Sequence, residues 1–241
     1  MRGLPLQKLT SFVLAAALWA APAMAALELG RVDADKVKSF AEYFEPYLGK
    51  PNIVFEDAAF GEKIVSEARG IHAWIEDEAN WPPEPKITAE MLADTGRLYA
   101  CFAHAGFEGA GEAAVRRYRQ SVEKDPANFD TQFRMAELLS EMGGVHSLEG
   151  AMRAESAIGI NPAEAASRNA YYIAALGFYN AGFFRKGREY LKKQLEIDPD
   201  YENTSDLDFV FERWVSKWGE IPEKVTFEEN QAGDLVPVPA G

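Results

Sequence analysis

The run AYYIAALGFYNAGFFRKGREYLKKQLEIDP, residues 170–199, decides how the rest of the chain is read. Tyr171, Ala174-Ala175 and Phe178 precede a glycine, Gly182, and Phe184, Gly187 and Leu191 follow it before the run stops at Pro199. Small residues at helical spacing let two antiparallel helices approach closely, and aromatic side chains fill the gaps on either side. Gly182 permits a tight reversal, and Pro199 cannot continue a helix. The run predicts a helical hairpin.

Working outward, the same ending recurs. Glu123-Lys124-Asp125-Pro126, Gly159-Ile160-Asn161-Pro162 and Glu196-Ile197-Asp198-Pro199 place their prolines 36 and 37 residues apart. A second unit in phase with the first carries Met135, Ala136, Leu139, Gly143, Gly150, Ala154, Ala157 and Pro162, with a longer turn at Gly143-Gly144-Val145-His146. In a third, Ala114, Tyr118 and Pro126 match, and the turn Gly106–Gly111 is glycine-rich. A fixed period of this size is the signature of stacked repeats. With these residues in these places, the stretch Asp94–Tyr201 resembles the tetratricopeptide repeat family, whose period is about 34 residues.

Elsewhere the pattern is also helical. One helix is expected over Asp35–Leu48, ended by Pro46 and Gly49-Lys50-Pro51, and a second over Asp57–Glu78 with Phe60, Ile64, Ala68, Ile71, Trp74 and Ile75 on a stripe. Trp81-Pro82-Pro83-Glu84-Pro85 forces an extended break, after which Thr88 is the natural N-cap of the next helix. Ser205 opens a closing helix whose Leu207, Val210, Phe211, Trp214, Val215 and Trp218 follow the i, i+3, i+4 spacing, so it docks on the last repeat as a cap. Strand character is confined to the short run Asn52–Phe55. The expected fold is all-α, a short tetratricopeptide-like solenoid of helical hairpins with an N-terminal helical extension and a C-terminal capping helix. Its divisions are 1–25, a signal peptide; 26–85, the extension; 86–221, repeats and cap; and 222–241, a disordered tail with little apolar patterning.

The first 25 residues read as an export signal. Arg2 and Lys8 give a positive start, Leu9–Ala21 is apolar apart from Thr10 and Ser11, and Ala23-Met24-Ala25 supplies a cleavage site. The apolar stretch is shorter than the roughly 20 residues that span a bilayer. A periplasmic location follows as an expectation, with no membrane span after cleavage. Over the full 241 residues, Lys+Arg 25 against Asp+Glu 38 gives a net charge of -13, which disfavours nucleic acid as a partner. One cysteine, Cys101, excludes an internal disulfide framework.

No catalytic constellation emerges, so the chain is expected to be no enzyme and to need no metal or cofactor. His72, His104 and His146 lack metal-ligand spacing. Cys101 falls in an apolar helix and reads as a core thiol. Ser121-Val122-Glu123-Lys124 matches a Ser-x-x-Lys motif only formally, because Ser121 occupies a small-residue packing slot.

What remains is surface. The family resemblance implies that the first helix of each unit lines a concave, partner-binding face. Carried over, the third unit contributes Asn169, Tyr172, Leu176, Tyr179 and Asn180. The second contributes Asp130, Phe133, Glu137, Ser140 and Glu141, and the first Arg97, Ala100, His104 and Phe107. This face is expected to be mixed aromatic and acidic, without the lysines and arginines with which some family members clamp a peptide carboxylate. Tyr172, Tyr179 and Phe183 exceed what the repeat pattern uses. They read as packing against the neighbouring repeat or cap, as a protein hot spot, or as the wall of an apolar cavity. Two functions stay open: an exported adaptor that binds other envelope proteins on its concave face, or a carrier of an apolar small molecule such as a lipid or sterol.

Overall fold

A computed structural model describes residues 29–51, 54–201, 205–229 and 235–239. The expected signal peptide lies outside the described residues, as do Asn52 and Ile53; Val54 and Phe55 form no strand. Among the described residues the fold is all-α apart from one terminal pair of strands.

Two helices precede the repeats. Helix α1 (Ala34–Leu48) starts at Asp33, whose carboxylate accepts from the Lys36 amide at 2.9 Å, and it continues through Pro46 because one missing amide in the last turn does not break it. Helix α2 (Ala58–Glu76) is capped by Asp57 and buries Ile64, Ala68, Ile71, Trp74 and Ile75; Phe60, expected on that stripe, is 37% exposed. The Trp74 indole donates to the Gly30 carbonyl at 2.9 Å, closing the segment just ahead of α1 onto α2.

Three hairpins follow. They are α3 (Ala89–His104) with α4 (Ala110–Lys124), α5 (Phe129–Met142) with α6 (Ser147–Ile160), and α8 (Ala170–Asn180) with α9 (Phe184–Ile197). Thr88 caps α3 as expected, accepting from the Met91 amide at 3.1 Å. Small residues set the helix spacing. A Cβ on Gly96 would lie 2.7 Å from the Tyr118 ring, and one on Gly177 would lie 2.8 Å from the Ser147 carbonyl and 2.9 Å from the Ala151 methyl. Gly96 thus closes the first hairpin and Gly177 brings the third against the second. A short helix not foreseen, α7 (Pro162–Ser167), intervenes: Asn161 caps it and Pro162 occupies its first turn, a position proline favours.

Helix α1 runs beside α3 in the same direction. Lys38 meets Glu90 at 3.9 Å, Glu45 meets Arg97 at 2.6 Å, and the Leu48 carbonyl meets His104 at 3.1 Å, three contacts in step along both helices. The extension therefore continues the row of first helices, α1, α3 and α5.

At the other end α10 (Ser205–Trp218) buries Leu207, Phe211 and Trp214, with the Phe184 ring 5.6 Å from Phe211 and 5.1 Å from Trp214. The expectation of a disordered tail is corrected here. Strands β1 (Val225–Glu229) and β2 (Leu235–Pro239) pair antiparallel, from Val225↔Pro239 to Glu229↔Leu235. The Val225 amide donates to the Gly182 carbonyl at 2.8 Å, and Phe227 stands 6.0 Å from Tyr179. Gly182 has φ +82°, and a Cβ there would fall 2.5 Å from the Val225 carbonyl, so glycine is needed both for the turn and for the strand's approach. Pro237 and Pro239 stand in the terminal strand of a two-stranded sheet, a place that tolerates them.

Candidate functional site

A wide opening lies along the row of first helices. A groove of about 650 Å³ is bounded by Glu45 and residues 49–51 after α1, by Ala100 and His104 of α3, by Arg134, Glu137, Leu138 and Glu141 of α5, and by Arg168 ahead of α8. Helical spacing explains the set: Ala100 and His104 are four residues apart, as are Arg134 with Leu138 and Glu137 with Glu141, so each group occupies one face.

Guanidinium groups tie the helices together along this groove. Glu45 of α1 accepts from Arg97 and from Arg134, each at 2.6 Å. Arg97 also meets Asp94 at 2.8 Å, and Arg134 meets Asp130 at 2.8 Å. Arg168 donates to Asp130 at 2.7 Å and lies 4.0 Å above the centre of the Phe133 ring. Burial works against charge on Glu45 and Asp130, yet the hydrogen bonds and attraction of these arginines hold both carboxyls below the usual range. The face is more basic than expected: besides the expected Arg97, which pairs with Glu45 and Asp94, Arg134 and Arg168 line the groove.

Glu137 differs. It is half-buried and has no hydrogen-bond partner among the described residues, and burial pushes its carboxyl up to about 7 despite the attraction of Arg168 and Arg134. One turn further on, Glu141 contacts His104 Nε2 at 2.8 Å while His104 Nδ1 faces the Leu48 carbonyl. That carboxylate contact raises the imidazole above its ordinary value, against burial.

The other expected residues lie elsewhere. Phe107 is away from the groove, stacked on Phe102 at 5.4 Å with the His72 ring edge-on to it. Phe133 is buried and stacked on Phe129 at 5.9 Å, so it supports Arg168 and does not line the groove. Tyr179 stacks on Phe184 at 4.9 Å and meets Phe211 and Phe227 edge-on, and Tyr172 meets Tyr201 at 5.2 Å. Leu176 is half-buried on α8 and Asn180 is exposed at its end. Asn169 adopts φ 57° ahead of α8, where asparagine tolerates the left-handed region, and accepts from Gln194 at 3.4 Å. Sequence reasoning overlooked Glu45, Arg134 and Arg168. The signal for Glu45 was opposite charge to Arg97 at a matching position along two helices, legible only once α1 is known to lie beside α3.

Cys101 is buried, and burial pushes its thiol up to about 12, which disfavours the reactive thiolate. His72 packs among Tyr99, Phe102 and Phe107. Among the described residues no three metal-ligating side chains gather, and no helix is long and apolar enough to cross a membrane.

Successive antiparallel helix pairs, spaced by small residues and joined edge to edge, define the class: a tetratricopeptide-like helical-repeat fold. By sequence the chain matches no family model and no curated protein. A solved structure described as "MamA RS-1 ArsTM double mutant" is similar to it at 17% identity, covering 77% of this chain and 98% of that one with a TM-score of 0.43.

Proposed function

We propose that the protein is a non-enzymatic adaptor, exported to the periplasm, that holds a segment of a partner envelope protein in the groove between α1, α3 and α5. One observation carries the reading: the groove gathers half-buried charge from four separate parts of the chain, leaving Glu137 without a partner in a space wide enough for a peptide. Charged groups drawn out of water are costly unless paired, and a bound segment supplies the pairing. The adaptor is favoured over the apolar carrier because the rings that a carrier needs as a cavity wall are already engaged, Tyr172 by Tyr201, Tyr179 by Phe211 and Phe227, and Phe183 by Phe178.

A photo-crosslinking residue at Ala100, inside the groove, is expected to capture a partner protein in the envelope fraction. The same residue at Met152, 55% exposed on α6, should not. Equal capture from both positions, or none from Ala100, would count against the groove. Export is checked by the mass of the periplasmic chain, which should begin at Ala26.

A further inference from the structure

Building on that reading of the groove, we propose that His104 is a proton-controlled latch across its rim, and that opening the latch admits a partner segment carrying a lysine or arginine side chain. The geometry of the ring carries the first half. His104 lies between two groups that can only accept: the Leu48 carbonyl, 3.1 Å from Nδ1, and the Glu141 carboxylate, 2.8 Å from Nε2. A neutral imidazole donates from one nitrogen alone, so both contacts are made together only by the imidazolium. Protonated, the ring joins the end of α1, α3 and α5 at one point, and it fixes the turn Gly49, Lys50 and Pro51 that borders the groove. Deprotonated, it keeps one contact and turns a lone pair toward the other acceptor, so the bridge opens.

The charges left behind decide what enters. Around the opened site stand Glu137, Glu141, Asp130 and Arg134 of α5, Glu45 of α1, Arg168 ahead of α8 and the buried Tyr118 of α4. Arg134 and Arg168 already serve Glu45 and Asp130. Glu137 has no donor, and Glu141 loses the cation facing it when the ring gives up its proton, whichever contact the neutral ring keeps. Lys50 is the further cation at the rim and is exposed to water. An ammonium or guanidinium entering here replaces the internal cation that Glu141 has lost and supplies the one Glu137 lacks, whereas an incoming carboxylate meets these acids.

Direction with pH follows from both groups. The Glu141 contact holds His104 above its ordinary value, so the latch stabilises the folded chain below the usual imidazole range and is lost as pH rises through the raised value. Glu137, pushed up to about 7 by burial, becomes an anion as pH rises through that value. Both changes favour a cation at higher pH.

The test uses the full exported chain. Ring NMR of the three histidines, with His104→Gln assigning the resonance, should show His104 titrating above the ordinary value, and Glu141→Gln should lower its midpoint by about one unit. Acetyl-Gly-Lys-Gly-amide should shift amide signals around residues 134–141 at about pH 8 and bind about tenfold more weakly at about pH 5.5. Acetyl-Gly-Glu-Gly-amide should not bind, and Glu137→Gln should lose the lysyl peptide while keeping its circular dichroism. The latch is overturned by a His104 midpoint indifferent to Glu141→Gln or by lysyl-peptide binding that ignores pH. The cation is overturned by preference for the glutamyl peptide, by shifts away from the groove, or by no shift with either peptide at millimolar concentration. Crosslinking from Ala100 that persists unchanged at every pH would sink the latch and leave the groove reading standing, whereas its absence at every pH would sink that reading itself.

Discussion

Replacing Glu137 with glutamine removes a charge that its surroundings disfavour: burial pushes the carboxyl up to about 7 even with Arg134 and Arg168 nearby. The folded chain therefore holds this proton more tightly than the unfolded chain does. Ionising it costs stability as pH climbs from the ordinary carboxylate range through about 7, and above that the cost is complete. Glu137→Gln is expected to raise Tm by several degrees at about pH 8, on the order of 1–3 kcal/mol, and to leave it nearly unchanged at about pH 4. A variant equally stabilised at both pH values would mean that the carboxyl is not desolvated. Cys101 gives a second check at this scale. With 3% exposure and its thiol pushed up to about 12, it should resist iodoacetamide in the native chain and react once urea unfolds it. The sequence reveals part of this. Helical spacing places Glu137 and Glu141 on one face and marks Cys101 as core. It does not reveal that Arg134 turns to Glu45, 89 residues away, because periodicity fixes a face and says nothing of the neighbour opposite it.

Elements were legible where the local chemistry allowed one outcome and illegible where it allowed two. Thr88 is a cap by residue type and position, and it serves as one. Asn161-Pro162 reads equally well as a helix stop and as a cap followed by a first-turn proline; the chain uses it as both, ending α6 and opening α7. The tail misleads for a different reason. Val225 and Phe227 alternate with Thr226 and Glu228 for only a few residues, too short a signal without the surface that receives it. That surface is Gly182 with Tyr179 and Phe184, and it gives the tail a measurable role. Deleting residues 222–241 removes the Val225–Gly182 hydrogen bond and uncovers one side of both rings. The expected loss is about 1–3 kcal/mol, seen as a lower Tm and a changed near-ultraviolet dichroism with the far-ultraviolet helix signal retained. An unchanged Tm would show that the strand pair contributes nothing to the stack.

Across the whole molecule the core falls into linked parts. One, from α1 to α5, centres on Phe44, Tyr99, Phe102 and Tyr118. Another, from α6 to β1, centres on Phe178, Phe184, Phe211 and Trp214. They join where α5, α6 and α8 press small residues together: Ala136, Ala151, Ala154 and Ala174 are fully buried, and Gly177 lies directly against the α6 backbone. In a stack whose units touch mainly their neighbours, cooperativity depends on such junctions. Small residues make this junction tight and leave it no room to yield. Gly177→Val places a branched side chain where a single Cβ already falls 2.8 Å from the Ser147 carbonyl, so α8 must move away from α6, at a cost of about 1–3 kcal/mol or more. Urea unfolding should expose the consequence. In the natural chain the fluorescence of Trp74 and Trp81 on one side and of Trp214 on the other, isolated by Trp→Phe variants, should fall at one denaturant midpoint. In Gly177→Val the Trp214 signal should fall first, with the α1–α5 half persisting to higher urea. Two midpoints that move down together would mean that the halves are bound by more than this seam, and that the groove's helices feel every change at the capped end.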